Sequence, residues 1–219
     1  MASHPVDSPR RLLTLGRVDR VRVQVGFRAG PDDRPYEQFL LDLSADSTRE
    51  NAAFDEQRAL AALEPVLHAG TDAPRHYSLH QHRWHTSWGV SPGALDIGLL
   101  VTTGTRTTAA SSEASHDNVA RAFHDLMEMA GRPQPTPTSR DAAILRARRG
   151  AATAYAMDPD TMSLSAEEHH PAENSWTVGL RTTAGDEYEV VVGFVEGYAG
   201  SVRVRHENRI EVSDSIGSE

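Results

Sequence analysis

The chain of 219 residues contains no cysteine and no lysine. The lack of cysteine excludes thiol nucleophiles, thiolate zinc sites, iron–sulfur clusters and redox-active disulfides. The lack of lysine excludes the lysine of a phosphate-binding loop, Schiff-base catalysis and an attachment point for pyridoxal phosphate. All 22 basic residues are therefore arginine, a composition typical of GC-rich, actinobacterial-type codon usage. This bias carries no information about function.

Long apolar segments are missing as well, since no run approaches the roughly 18 apolar residues that a membrane span needs. The amino-terminal residues show no apolar stretch of a secretory signal, which predicts a cytoplasmic protein without a membrane partner. The net charge is −9. Nucleic-acid-binding proteins usually carry a basic stripe, and here only Arg140, Arg146, Arg148 and Arg149 form a small basic group on one predicted helix. We therefore predict that nucleic acid is not a partner.

Sequence signatures of catalysis are absent too. The chain has no Gly-x-Ser-x-Gly nucleophile turn, no His-Glu-x-x-His zinc motif and no Gly-x-Gly-x-x-Gly nucleotide-binding loop. Its many carboxylates include no pair that spacing singles out for acid–base chemistry. No cofactor is predicted, and a non-enzymatic role is favoured.

Hydrophobic periodicity predicts an α+β protein with two small units, each an antiparallel sheet packed with one or two helices. The amino-terminal unit, residues 13–131, has the order ββαββα. Residues 132–138, which include three prolines, form a stiff linker. The carboxy-terminal unit, residues 139–210, is a helix followed by a four-stranded meander, αββββ. The predicted strands cover residues 17–27, 36–43, 76–88, 95–103, 162–166, 176–182, 187–195 and 201–207, with helices beginning at 47, 115 and 139.

Residues 139–200 resemble PepSY-type small domains. The matching features are the helix start Ser-Arg-Asp-Ala-Ala, the strand Trp176-Thr177-Val178, and Tyr188-Glu189-Val190 before a glycine turn at 197–200. The resemblance covers less than a third of the chain. It implies a helix-plus-meander topology and a role in binding or inhibiting other proteins.

The segment 76–88 holds four of the eleven histidines and two of the three tryptophans. On a strand, side chains alternate between faces, so that His76, His80, His82, Trp84 and Trp88 share one face. Imidazoles two residues apart on one face can converge on a metal ion. His80 and His82 are therefore candidate metal ligands, and the spacing His-x-His-x-x-His adds His85 as a third. The histidines of Glu167–Pro171, in contrast, are predicted to lie in a solvated loop.

The same strand face also suits a protein interface. Tryptophan exposes a large apolar area and is enriched at interfaces, whereas buried histidines need hydrogen-bond partners. Trp84, Trp88 and His76 are accordingly predicted to contact another protein, with a core position for the two tryptophans left open. The leading hypothesis is a non-enzymatic interaction or accessory module that binds another protein or itself. The alternatives are a metal-dependent enzyme or metal sensor using the histidine-rich strand, and a structural subunit of a larger bacterial assembly.

Overall fold

The computed structural model describes residues 18–44, 55–68, 73–84, 93–104, 109–131 and 135–207. These residues form eight strands and three α-helices. The strands are β1 (Val18–Arg28), β2 (Glu37–Ser44), β3 (His76–Trp84), β4 (Gly93–Thr102), β5 (Met162–His170), β6 (Ser175–Thr182), β7 (Glu187–Val192) and β8 (Ser201–Glu207). The helices are α1 (Glu56–Leu67), α2 (Ala109–Met129) and α3 (Arg140–Tyr155), with a 3-10 turn at Pro159–Thr161.

All eight strands belong to one mixed sheet in the order β3-β4-β1-β2-β8-β7-β6-β5. The α+β class is confirmed, but the expectation of a separate antiparallel sheet in each unit is wrong. Strands β2 and β8 pair, with Leu40 opposite Val202, and β1 runs parallel to β4. The outer edge of β2 would otherwise present unpaired backbone groups, which β8 satisfies. The division of the chain at 132–138 stays a prediction.

Two hydrophobic cores lie on opposite faces of this sheet. Phe39 and Leu41 of β2 belong to the first core, which packs under α1 and α2. Leu40, between them, contacts the second core, which packs under α3. Neighbouring residues of a strand point to opposite faces, so the two cores lie on opposite sides of the sheet. Helices α1 and α2 cover the β3-β4-β1-β2 half on one side, and α3 covers the β8-β7-β6-β5 half on the opposite side. None of the helices in the described residues has an apolar stretch long enough to cross a membrane.

Capping side chains set the starts of α1 and α3. The Asp55 carboxylate accepts hydrogen bonds from the first-turn N–H groups of α1, and the Ser139 hydroxyl accepts one from Ala142 of α3. The predicted cap at Ser47 lies outside the described residues. Helix α2 begins at Ala109, so the predicted start at Ser115 is wrong, and Ser115 is buried within the helix. Its Ala/Ser-rich first turns lack the apolar stripe that marks the rest of the helix.

Strand β5 extends to His170, so the loop predicted at Glu167–Pro171 is also wrong up to that residue. This strand is at the edge of the sheet and is exposed along most of its length. A strand that is exposed on both faces shows no alternation of apolar and polar residues, and its polar sequence therefore resembles a loop. The His169 ring stacks on Trp176 with a centroid distance of 4.3 Å.

Small residues bring α3 close to the sheet. Ala143, Ala147 and Ala151 are fully buried beneath it. At Gly150 an added Cβ would lie 2.9 Å from the Cγ1 atom of Val202, so this position requires glycine for close approach. The alanine-rich composition of α3 thus reflects close helix–sheet packing.

Stability at alkaline pH depends on the tyrosines at the end of α3. Burial raises the pKa of Tyr155, and the neighbouring Tyr188 adds to this shift; burial also raises the pKa of Tyr188. The folded protein therefore keeps these protons at a pH where the unfolded chain loses them, so stability is complete below about pH 10 and falls as the pH rises further. Because the chain has no lysine or cysteine, tyrosines dominate titration in this range.

We expect denaturant unfolding to show this fall between about pH 10 and 11.5. Tyr155→Phe should make the fall shallower, because it removes one of the two groups responsible. Tyr77→Phe is the matched control, since the Tyr77 side chain is 51% exposed and should leave the slope unchanged. An identical slope in wild type and Tyr155→Phe would contradict this explanation.

Candidate functional site

A groove lies between α3 and the β3-β4-β1-β2 half of the sheet, on the side of the sheet opposite α1 and α2. No helix of the described residues covers this face of β3, β4 and β1. The groove has a volume of about 1150 Å³. Its floor consists of Arg20, Arg22, Gln24, Leu40, Asp42, His80, His82 and Asp96, and its wall includes Leu145, Arg146, Arg149, Thr153 and Met157 of α3.

The floor of the groove carries an arginine–aspartate cluster. Arg20 donates hydrogen bonds to both carboxylate oxygens of Asp42, and the Nε atom of Arg22 lies 3.7 Å from the same carboxylate. The hydrogen bond with Asp42 raises the pKa of Arg20, and the charge of Asp96 acts in the same direction. Two arginines thus share one closely bound aspartate.

The α3 wall adds positive charge and an apolar contact. Arg146 donates a hydrogen bond to the carbonyl oxygen of Ala199, and within the described chain neither Arg146 nor Arg149 forms an ion pair with a carboxylate. Leu145 is 49% exposed. The groove therefore combines four arginines and two aspartates, an excess of positive charge on a protein whose net charge is −9.

The histidine-rich segment forms one rim of this groove. Strand β3 confirms the predicted strand for residues 76–84 and lies at the edge of the sheet. His80 and His82 are exposed and line the groove, and His82 lies opposite Asp96 in the strand pairing. His76 is exposed at the start of the strand.

The other predicted site residues of this segment cannot be placed with these. Residues 85–92, which include His85 and Trp88, lie outside the described residues, as does the side chain of Trp84. Among the residues that are described, no three histidine, aspartate or glutamate side chains come together to hold a metal ion. The metal site at His80, His82 and His85 and the interface at Trp84, Trp88 and His76 stay predictions.

The opposite face of β3 exposes two large apolar side chains. Tyr77 is 51% exposed and Leu79 is 41% exposed. They border a second, smaller depression of about 320 Å³, whose other walls are Leu99 of β4 and side chains of α1, which are apolar except for Glu64. Sequence reasoning concentrated on the histidine face and missed this one. Tyr77 and Leu79, two residues apart between polar neighbours, were the signal that could have identified it.

The chain significantly matches no known family model, no curated protein and no solved structure. The resemblance to PepSY-type domains is accordingly untested. The functional argument therefore depends on the geometry of the groove and of the β3 edge.

Proposed function

We propose that this protein is a non-enzymatic interaction module whose groove, between α3 and the uncovered face of β1–β4, binds an acidic, amphipathic segment of another protein. The observation that carries the proposal is the groove itself. The described helices cover the β3-β4-β1-β2 half of the sheet on one side only. The uncovered side lies next to α3, whose Leu145 side chain is exposed to solvent. Concave surfaces that combine a few apolar side chains with convergent polar groups are typical binding sites.

The size of the groove favours a polypeptide over a small molecule. Pockets for small ligands usually measure about 300–1,000 Å³ and enclose most of the ligand. This groove has about 1150 Å³ and is bounded by the sheet and one helix. A helix has a diameter of about 10 Å with its side chains and can lie along α3 with one face on the sheet.

The charges of the groove favour an acidic partner. Arg146 and Arg149 lie next to Leu145 on α3, and Arg20 and Arg22 lie on the floor. A bound carboxylate would meet guanidinium groups, which bind carboxylates through paired hydrogen bonds. The apolar face of the same segment would contact Leu145 and Leu40.

A displayed library of random 20-residue peptides tests this proposal. We expect peptides selected on the wild-type protein to be acidic, with apolar residues at helical spacing. Leu145→Glu and Arg149→Glu should each weaken their binding at least tenfold, because each places a negative charge beside an acidic ligand; tenfold corresponds to about 1.4 kcal/mol.

Arg121→Glu is the matched control. Arg121 is exposed on α2, on the other side of the sheet, so the same charge change should leave peptide binding unaltered. Selected peptides that bind Leu145→Glu as tightly as wild type would contradict a site in the groove. Basic or uncharged selected peptides would contradict the proposed acidic partner.

Nucleic acid is the alternative ligand to test, because its phosphates could also contact the four arginines of the groove. The two aspartates of the floor and the overall negative charge should keep binding of a 20-base duplex or single strand weaker than roughly 10 μM at physiological salt. Nanomolar, salt-sensitive binding of either oligonucleotide, lost in Arg149→Glu, would replace the peptide proposal.

A further inference from the structure

The two edges of the eight-stranded sheet differ in how they are protected. Natural edge strands avoid unwanted pairing through bulges, charged side chains or proline. Strand β5 has two of these devices, an irregularity between Leu164 and Ala166 and two acidic residues, of which Glu168 is exposed and Glu167 forms an ion pair with Arg140. Its edge is thus unsuited to pairing with another strand.

Strand β3 has none of these protective features in its nine residues. Its pairing with β4 is continuous from His76 to Trp84 without a bulge, and it contains neither proline nor an acidic residue. Its single arginine, Arg83, is held by an ion pair of 2.8 Å with Glu56 of α1. No strand of the described residues pairs with its outer side. Roughly every second residue of such an edge directs its backbone N–H and C=O groups outward, where an added strand can bind them.

We propose that β3 pairs with β3 of a second copy of this chain in an antiparallel arrangement, forming a twofold-symmetric dimer with a continuous sheet. This inference is independent of the proposed groove function. A twofold axis makes the same surface complementary to itself, because the antiparallel backbone pattern of one strand matches that of its copy.

The side chains of β3 also favour a second copy. Tyr77 and Leu79 lie on one face beside a border of α1 that is apolar except for Glu64, so twofold pairing brings mainly apolar side chains together. The strand carries no carboxylate, so two copies of a protein with a net charge of −9 meet along a segment free of acidic residues. The charges elsewhere on the two copies are screened over about 8 Å at physiological salt.

Dimerisation would also extend the candidate groove. Because paired strands keep their faces aligned, the face that bears His80 and His82 continues into the same face of the second copy. The two grooves would then share one floor along the twofold axis, with an α3 helix at each side.

Sedimentation analysis at about 100 μM, well above a micromolar dissociation constant, tests the dimer. Wild type should have twice the chain mass of 23.9 kDa. Leu79→Glu should return the mass to that of one chain, because it places a carboxylate in the strand pair. Leu145→Glu is the matched control and should remain dimeric, since Leu145 has similar exposure but lies on α3. A monomeric wild type, or a dimeric Leu79→Glu, would overturn the proposal.

Spin labels identify which edge strand of the sheet pairs in the dimer. Since the chain has no cysteine, Gln81→Cys and Glu168→Cys each provide a single labelling site. Strand spacing of about 4.8 Å predicts a distance between labels at position 81 below roughly 35 Å in the dimer, and one of roughly 70 Å between labels at position 168. A dimer with short distances at 168 and long ones at 81 would pair through β5 and would equally refute the proposal.

Discussion

Phe39→Ala should lower the free energy of unfolding by about 3–5 kcal/mol. Phe39 is fully buried, and its ring lies 6.0 Å from the ring of Phe27, 5.2 Å from that of Phe194 and 5.5 Å from that of His116. The substitution removes these aromatic contacts and leaves a cavity at the centre of the sheet. Because domains are typically stable by only about 5–15 kcal/mol, a large part of the folded state's margin would be lost.

Urea unfolding followed by tryptophan fluorescence and circular dichroism measures this loss. Leu145→Ala is the control, since Leu145 is about half exposed on α3 and its replacement should change stability by less than about 0.5 kcal/mol. If Phe39→Ala costs no more than Leu145→Ala, the first core is not centred on β2 as the structure has it.

Arg203→Met should destabilise the protein by about 3–5 kcal/mol, because it leaves a buried carboxylate without its main cation. Glu37 is 4% exposed. One of its oxygens lies 3.3 Å from Nε of Arg203 and the other 2.8 Å from Nε2 of His116. Arg203 also donates a hydrogen bond of 2.9 Å to Glu189. These contacts join α2, β2, β8 and β7 where the two halves of the sheet meet.

A double-mutant cycle distinguishes the buried charge from lost packing. Adding Glu37→Leu to Arg203→Met should recover most of the lost stability, because the uncompensated carboxylate is then gone. Arg181→Met is the comparison for an exposed pair with Glu187 and should cost at most about 1 kcal/mol. Additive losses from the two substitutions at 37 and 203 would mean that these groups do not interact.

Local patterns in the sequence were enough to predict most elements and their buried faces. The alternation of Val21, Val23, Val25 and Phe27 predicted a strand with one buried side, and all four residues are buried against α1 and α2. The helix start predicted at residue 139 coincides with the Ser139 cap of α3, and Gly131, which adopts a φ of 93°, is a local signal for the end of α2. These signals act within a few residues, which is why one sequence suffices to recognise them.

Strand partners could not be predicted in this way. An alternating strand has the same pattern whether its neighbour is the next strand or one that follows about 160 residues later, so the β2–β8 pairing was missed. The groove was missed for the same reason. Arg20 and Arg22 were recognised only as the polar side of β1, and the exposed Leu145 lies on a distant helix. Only the parallel β1–β4 pairing and the position of α3 bring these residues to one surface.

Strand β2 has a double role that bears on how this sequence can change through evolution. Phe39 and Leu41 serve one core, while Gln38 and Leu40 face α3, where the Gln38 amide donates a hydrogen bond to the carbonyl oxygen of Ala154. An insertion of one residue within β2 would therefore turn the residues that follow it to the opposite face of the sheet, so that both cores would lose their β2 side chains together. Descendants of this chain can vary more readily at exposed turn positions such as Asp32. The length of β2 is fixed, because no single compensating change could restore both cores together.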